Sequence, residues 1–406
     1  MHTPHLVMKR SVFFFLFLYM LSGQDLQAQG SDIFWVAEGP MAADFDGDGE
    51  VGFKDFVLFA HAFNTRSGEP GFNARMDLNG DGAIDFQDLV SFATAYGNRE
   101  PAQPERMGYA VYVADFPDNS VGVFDFDTHL LIDYLPFRGP GSIRVSQDQQ
   151  SIYVLEVFGL FALDTNHEAV FSVPTNSYGR IELSRDEKLA YVTEERTGRL
   201  RIVDLVARAT VDTIEVGERP VGLDLAPDGK MLYVINSDSR DVSVVDLERR
   251  EVVGRIVIGA RPAEVGVTVD GLRAYVANLD RGVVSVLDLV SNRVAGAIPL
   301  DGGGAQGLTF SPDGKTLYVV SDGLLLAIDV ERNLISRSLR VGDATSTVGV
   351  SPDGSRAYVG TLLEQGGGPG LTAVDLVNWR VLGRMRGFDF PVEIQFRRVP
   401  VRGEAD

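Results

Sequence analysis

Pro227-Asp-Gly-Lys-Met-Leu-Tyr-Val-Ile-Asn236 is a tight turn that runs into a short apolar strand. The glycine supplies the positive φ that a hairpin turn needs. Met231–Ile235 has the length and composition of a strand. Three neighbours complete the unit: Val221-Gly-Leu-Asp-Leu225 before it, then Val242-Ser-Val-Val-Asp246 and Glu251-Val-Val-Gly-Arg-Ile-Val-Ile258 after it. All four read as strands.

The unit recurs. A Tyr-Val pair stands at Tyr112, Tyr153, Tyr191, Tyr233, Tyr275, Tyr318 and Tyr358. After each pair an aspartate closes a β-run, at Asp125, Asp164, Asp204, Asp246, Asp288, Asp329 and Asp375. Val269-Asp-Gly271, Pro312-Asp-Gly314 and Pro352-Asp-Gly354 repeat the turn, and Asp148 and Asp186 mark copies without the glycine. Four-stranded units with a period of about 40 residues predict propeller blades, because one such sheet leaves both faces wet until neighbours cover them.

Seven marks predict seven blades, but the first has no strand upstream of it. Phe390-Pro-Val-Glu-Ile-Gln-Phe396 repeats the pattern of Pro220-Val-Gly-Leu-Asp-Leu225. That segment is therefore predicted to supply the first blade's inner strand, closing the ring and removing two open edges. The region 108–399 resembles the YVTN family of seven-bladed propellers, to which lactonase-like propellers are related. Tyr112-Val-Ala-Asp115, Tyr233-Val-Ile-Asn236, Tyr275-Val-Ala-Asn278, the Pro-Asp-Gly turns and the Val-Asp-Leu strand ends carry the resemblance. It implies the fold and leaves the activity open, since propellers host many.

A different pattern fills residues 33–98. Asp44-Phe-Asp-Gly-Asp-Gly-Glu-Val-Gly-Phe-Lys-Asp55 and Asp77-Leu-Asn-Gly-Asp-Gly-Ala-Ile-Asp-Phe-Gln-Asp88 are two twelve-residue loops that offer oxygens at the offsets a calcium ion needs. Side-chain oxygens come from Asp44, Asp46 and Asp48 in one loop and Asp77, Asn79 and Asp81 in the other. Glu50 and Ala83 stand where a backbone carbonyl ligates. Asp85 can act through water, whereas Gly52 leaves that place to water itself. Asp55 and Asp88 close the two cages. Each loop precedes a helix with one apolar face, Phe56, Phe59, Ala60 and Phe63 in the first and Leu89, Phe92, Ala93 and Tyr96 in the second. The two faces are expected to pack with pseudo-two-fold symmetry, making a small all-α module ahead of the all-β propeller.

With aspartate at position twelve and loops about 33 residues apart, this stretch resembles a type I dockerin. The resemblance implies two bound Ca²⁺ and a cohesin partner contacted by loop positions ten and eleven. Here those positions are Phe53-Lys54 and Phe86-Gln87, a departure from the family's small hydroxyl or basic residues. Two docking partners stay open: a cohesin-like protein, or the chain's own propeller.

Ligands of propellers usually sit at one mouth of the channel, on the face shared by the strand-two-to-three and four-to-one loops. Candidate ligand-binding residues there are Arg219, Arg261, Asn236, Asn278, Asp238, Asp280 and Glu194, with Asp115 beside them. Arg219-Pro220 and Arg261-Pro262 occupy equivalent places, so two guanidiniums could hold a carboxylate or phosphate. The bland alternative is surface ion pairs with Asp238 and Asp280. No catalytic residue is predicted. Cysteine is absent, and His129 and His167 read as turn residues on the opposite face. Gly302-Gly-Gly304 and Gly366-Gly-Gly-Pro-Gly370 lack the lysine of a phosphate cradle.

The formal net charge of −20 over 406 residues argues against nucleic-acid binding. Lys9-Arg10 followed by the apolar run Ser11–Leu21 and then Ala28 predicts a signal peptide over residues 1–28. The run is short for a bilayer span, so no stable span is expected after cleavage. A linker covers residues 99–107. The expectation is a secreted, periplasmic or cell-surface calcium-binding scaffold whose propeller binds an unknown ligand. The alternative is an extracellular enzyme or enzyme component, lactonase- or lyase-like or associated with polysaccharide breakdown.

Overall fold

The computed structural model describes residues 34–37, 42–46, 50–98, 108–116, 119–175, 178–300, 303–363 and 369–399. The segments expected to be a signal peptide (1–28) and a linker (99–107), Asp48 and most of the Gly366–Gly370 loop lie outside them. The chain divides into two compact units, Met1–Gln103 and Pro104–Asp406.

The larger unit is a seven-bladed propeller of four-stranded antiparallel sheets. Blade four shows the pattern: Pro220–Leu225, Met231–Asn236, Asp241–Asp246 and Glu251–Val257 pair in chain order from the channel outward. Tyrosine and valine of each pair lie on the second strand, where Tyr233 faces Asp224 and Val244 and is nearly fully buried. Apolar clusters join adjacent blades: Tyr233, Ile235, Val242 and Val244 of blade four pack with Val265, Ala274, Val276 and Leu287 of blade five. Burial thus lies between sheets, and no blade has a core of its own.

The closing aspartates fold the turn between strands three and four. Asp204 Oδ1 accepts the N–H groups of Val206 (2.9 Å) and Ala207 (2.7 Å), and Asp288 Oδ1 those of Val290 and Ser291 (both 2.9 Å). In the turn between strands one and two a hydroxyl donates to the aspartate, as Ser146 does to Asp148 and Ser311 to Asp313 (both 2.6 Å). Gln149 and Glu187 take the left-handed φ of the missing glycine in the two divergent turns, at 64° and 53°.

The ring closes as the sequence predicts. Pro391–Val399 is the inner strand of blade one and pairs antiparallel with Gly108–Asp115, from Pro391↔Asp115 to Val399↔Gly108. Inner strands touch in an unbroken cycle, with Pro391–Val399 between Ala344–Val350 of blade seven and Ser142–Val145 of blade two. At this seam Phe126, Tyr358 and Phe396 meet at ring-centroid distances of 5.8–6.4 Å. Arg356 lies 4.3 Å above the Phe126 ring.

The smaller unit is built on an internal two-fold. Helix α1 (Phe53–Ala62) and helix α2 (Phe86–Ala95) are each ten residues long. Phe59 and Phe92 are fully buried and stacked at 5.5 Å between their ring centroids. Backbone hydrogen bonds repeat across the pair. Asn64 N–H donates to Ile84 O (2.7 Å) just as Gly97 N–H donates to Val51 O (2.8 Å). Each half's loop is therefore tied to the end of the other half's helix.

Candidate functional site

In the first loop the carboxylate oxygens of Asp44, Asp46 and Asp55 lie within 4.8 Å of one another. Calcium–oxygen distances of about 2.3–2.6 Å place ligand oxygens at most about 5 Å apart, so this group fits the ion. Asp55 is fully buried; its Oδ1 accepts from Phe45 N–H (2.6 Å) and Asp46 N–H (3.0 Å), and its Oδ2 from Gly52 N–H (2.7 Å). It clamps the start of the loop onto the helix. Asp88 does the same in the second loop, accepting from Asn79 N–H (3.1 Å) and Asp85 N–H (2.8 Å).

The second loop folds its acidic side chains onto its own amides. Asp77 accepts from Asp81 N–H (3.0 Å) and Gly82 N–H (2.9 Å), and Asp81 from Ala83 N–H (3.0 Å). Gly82 sits at φ +87°, the conformation the loop's sharp turn demands. Asp85 caps helix α2 through Gln87 N–H (2.7 Å), and Gln87 accepts from Asn79 Nδ2 (3.2 Å). Gln87 is thus engaged with its own loop, and Lys54 lies 3.8 Å from Asp46. Glu50 is half-buried. Phe53 and Phe86 are 55% and 60% exposed at two-fold-related places.

Arg75 is a site residue that the loop pattern does not reveal. Its nearly buried guanidinium donates to Phe45 O (2.7 Å) and Asp44 O (2.8 Å) behind the first loop. Burial pulls it down to about 10, against the pull of Asp44, Asp55 and Asp46. The two-fold-equivalent residue is Ala42, so only one loop has this support.

In the propeller the candidate mouth residues separate into two kinds, and three of them are corrected. Asn236 is fully buried and donates to Asp241 (2.6 Å) and Ser243 (2.9 Å). Asn278 is fully buried too and donates to Val283 O (3.0 Å) and Ser285 (3.1 Å). Glu194, also buried, binds Arg201 Nε (2.6 Å) and Thr197 (2.7 Å). The donors of these groups are engaged within their own blades, because the last residue of strand two points into the sheet. Asp115 is equally buried and accepts from Asp389 N–H (2.8 Å) and Phe390 N–H (2.7 Å), which makes it a latch for the closing strand.

The other four lie at the surface, where Arg219, Arg261 and Asp238 form ion pairs and Asp280 accepts a backbone N–H and lies 4.0 Å from Arg240. Arg219 lies 3.5 Å from Glu195 and 3.7 Å from Asp238; Arg261 also lies 3.7 Å from Asp238; the backbone N–H of Arg261 donates to Asp280 (2.8 Å). Each guanidinium is already matched by a carboxylate, which leaves no bare cationic pair for an anion. An open groove of about 870 Å³ between blades three and four is lined by Glu195, Arg196, Glu218, Arg219, Asp238 and Arg255, among others. The Gly303–Gly304 segment serves packing: a Cβ on Gly304 would fall 1.8 Å from Leu279 O.

The densest charge lies deeper, on the inner strands. Arg144 binds Glu182 (3.1 Å) and Glu393, and Arg180 binds Glu393 (3.2 Å) and reaches Glu264 (3.6 Å). These five residues come from blades one, two, three and five and keep 11–23% of their side-chain surface open to the channel they surround. Burial raises Glu393, but Arg144 and Arg180 outweigh it and hold the carboxyl below its usual range. Burial pushes Glu264 up, with Arg180 opposing. Asp224, on the inner strand of blade four, is pushed up to about 7 by burial and then by the charge of Glu182.

Two residues of this cluster, Arg144 and Glu182, share the inner-strand position that pairs with the tyrosine. The position paired with the tyrosine is Arg144, Glu182, Asp224, Gly266, Thr309, Gly349 and Gln395 in successive blades, with blade one last. His167 has a turn residue's φ of 66° and also joins blades. Its Nε2 lies 2.8 Å from the Tyr112 hydroxyl and its Nδ1 2.6 Å from Asp133.

No protein-family model matches the chain, and no curated protein matches it. Solved structures do. The chain is similar to hydrazine synthase of Kuenenia stuttgartiensis, with 19% identity over 69% of this chain and 93% of that one, and a TM-score of 0.56. It is similar to a functionally unknown protein from Desulfotomaculum acetoxidans, with 15% identity, 72% and 99% coverage and a TM-score of 0.61. It is also similar to a candidate 6-phosphogluconolactonase from Bacteroides uniformis, with 14% identity, 72% and 100% coverage and a TM-score of 0.60. Likeness at these identities establishes the seven-bladed fold and its lactonase-like neighbours.

Proposed function

We propose that this is a calcium-binding scaffold protein that works outside the cytosol, with a dockerin-like module tethering a propeller used as a recognition platform. The observation that carries the reading is the Asp44, Asp46 and Asp55 group, whose oxygens lie within 4.8 Å in a loop of calcium-binding type. A two-fold copy of that loop supports it, since the clamps by Asp55 and Asp88 are the same bond repeated. Asp44, Asp46, Asp48 and Asp55 would hold one Ca²⁺, with the Glu50 carbonyl. Asp77, Asn79, Asp81 and Asp88 would hold the other, with the Ala83 carbonyl and Asp85 through water. Millimolar extracellular calcium suits such a module, and the 1–28 signal reading puts it there. Among the described residues no helix is long and apolar enough to cross a membrane.

Phe53 and Phe86 are the proposed docking side chains, each exposed and each followed one helical turn later by an exposed valine, Val57 or Val90. A cohesin-like protein or the propeller itself would cover them. Titration calorimetry tests the metal reading directly. The full chain is expected to take up two calcium ions, and Asp48→Ala and Asp81→Ala each to lose one. Uptake of none, or loss of both ions with either variant, would overturn it.

One observation favours a second reading, an extracellular enzyme of lactonase- or lyase-like type. Asp224 is a half-buried inner-strand carboxyl that burial and the charge of Glu182 push up to about 7, the direction that suits a general acid or base. Turnover of a lactone that is abolished by Asp224→Asn would favour this reading over the scaffold.

A further inference from the structure

Two consecutive peptide units in the first calcium-type loop are held at both ends. The peptide joining Asp44 to Phe45 gives its carbonyl to Arg75 Nη2 (2.8 Å) and its N–H to Asp55 Oδ1 (2.6 Å). The next, joining Phe45 to Asp46, gives its carbonyl to Arg75 Nη1 (2.7 Å) and its N–H to the same Asp55 oxygen (3.0 Å). The three carboxylates that lie within 4.8 Å of one another are therefore tied to one frame. That frame is anchored in the core. Phe45 is buried and stacks on Phe59 (6.2 Å) and Phe92 (5.9 Å), and the Arg75 guanidinium lies 5.8 Å from the Phe45 ring centroid. The backbone of Arg75 is fixed too, since its N–H donates to Asn73 Oδ1 (3.1 Å) and Met76 N–H donates to Asn73 O (2.9 Å). A planar fork holds two acceptors in one geometry, which a flexible single-nitrogen cation does not. The second loop has the carboxylate half of this device, Asp88 on Asn79 N–H (3.1 Å), but Ala42 stands where the fork would be.

We infer that Arg75 is a positioning residue that locks the first loop around its cation, slowing calcium release from that loop and leaving the second loop untouched. The inference rests on the calcium reading above and adds to it a kinetic asymmetry between the two sites. A loaded first loop opens only when the fork lets go of the Asp44 and Phe45 carbonyls, because those peptides carry Asp44 and Asp46. The charge of the guanidinium acts in the opposite sense, since it repels a nearby cation. Asp44, Asp46 and Asp55 more than neutralise a divalent ion, however, so the guanidinium faces no net positive charge. The two buried, charge-assisted hydrogen bonds therefore govern the direction of the effect.

Stopped-flow release of calcium from the loaded full chain into a fluorescent chelator tests it. Each loop is read alone, the first in Asp81→Ala and the second in Asp48→Ala. Adding Arg75→Met should speed release from the first loop about tenfold and leave release from the second within about twofold. Arg75→Lys keeps the charge without the fork and should release as fast as Arg75→Met. Amide exchange of the loaded wild type needs no variant to fold: Phe45 and Asp46 N–H should exchange about tenfold more slowly than the two-fold-related Leu78 and Asn79. A wild type that takes up and releases no calcium would overturn the calcium reading and this inference with it. With calcium bound, four results would overturn the inference alone: unchanged or slower first-loop release in Arg75→Met, equal acceleration of both loops, wild-type release in Arg75→Lys, or equal exchange at the paired amides.

Discussion

Deleting residues 389–406 is expected to abolish cooperative folding of the propeller, or to lower its melting temperature by at least about 10 °C. Four losses combine. The ladder from Pro391↔Asp115 to Val399↔Gly108 disappears and exposes the edge of Gly108–Asp115. Ile394, buried against Gly349, leaves the core, at a cost of about 1.5–3 kcal/mol. Phe396 leaves the aromatic seam with Phe126 and Tyr358. Arg144 and Arg180 lose their shared carboxylate, and breaking a buried pair of this kind costs about 3–5 kcal/mol. The sum of the second and fourth alone is comparable with the about 5–15 kcal/mol that holds a whole domain together. Calorimetry of the truncated chain is the check, and an unchanged propeller transition would mean the ring does not close through this strand.

The second large effect isolates one side chain of that strand. Glu393→Ala is expected to destabilise the propeller by about 3–5 kcal/mol, measured by denaturant unfolding. Its carboxylate takes Arg144 and Arg180 and also accepts Ile143 N–H (3.0 Å), so alanine takes the shared partner from two guanidiniums at once and leaves Arg144 with Glu182 and Arg180 with Glu264. Glu393→Gln keeps an acceptor oxygen and should cost less. A triple replacement, Arg144→Met, Arg180→Met and Glu393→Leu, should recover much of the loss, because a well-packed apolar substitute for a buried ionic cluster is often neutral. Equal losses in the single and triple variants would show that packing around position 393 matters and the charge row does not.

Local features explain what was legible in the sequence. The Pro-Asp-Gly turns, the Tyr-Val pairs and the closing aspartates act within their own hairpins, so each copy announces itself, and Pro391 announces the closing strand by the same motif. The grouping of Asp44, Asp46 and Asp55 is legible for the same reason, since all three lie within twelve consecutive residues. The channel was not legible. Arg144 meets Glu393 only because the ring brings blade two against a strand from the far end of the chain, and the residue opposite the tyrosine changes from blade to blade, with glycine alone used twice. Arg75 was hidden likewise, because its partners are carbonyls about 30 residues away, and carbonyls leave no mark in a sequence. Asn236, Asn278 and Glu194 were misplaced for a geometric reason. A polar residue at the end of strand two is on the right face of the molecule, yet its side chain turns into the sheet.

The most direct test of the account is a calorimetric scan of the full chain in millimolar calcium and again in excess chelator. At a calcium concentration about 100 times the dissociation constant, each site adds about 2.7 kcal/mol to a helical pair too small to be robust alone. The account predicts that chelator removes or sharply lowers the transition of residues 42–98 and leaves that of the propeller in place. Superimposable traces with and without calcium would contradict it.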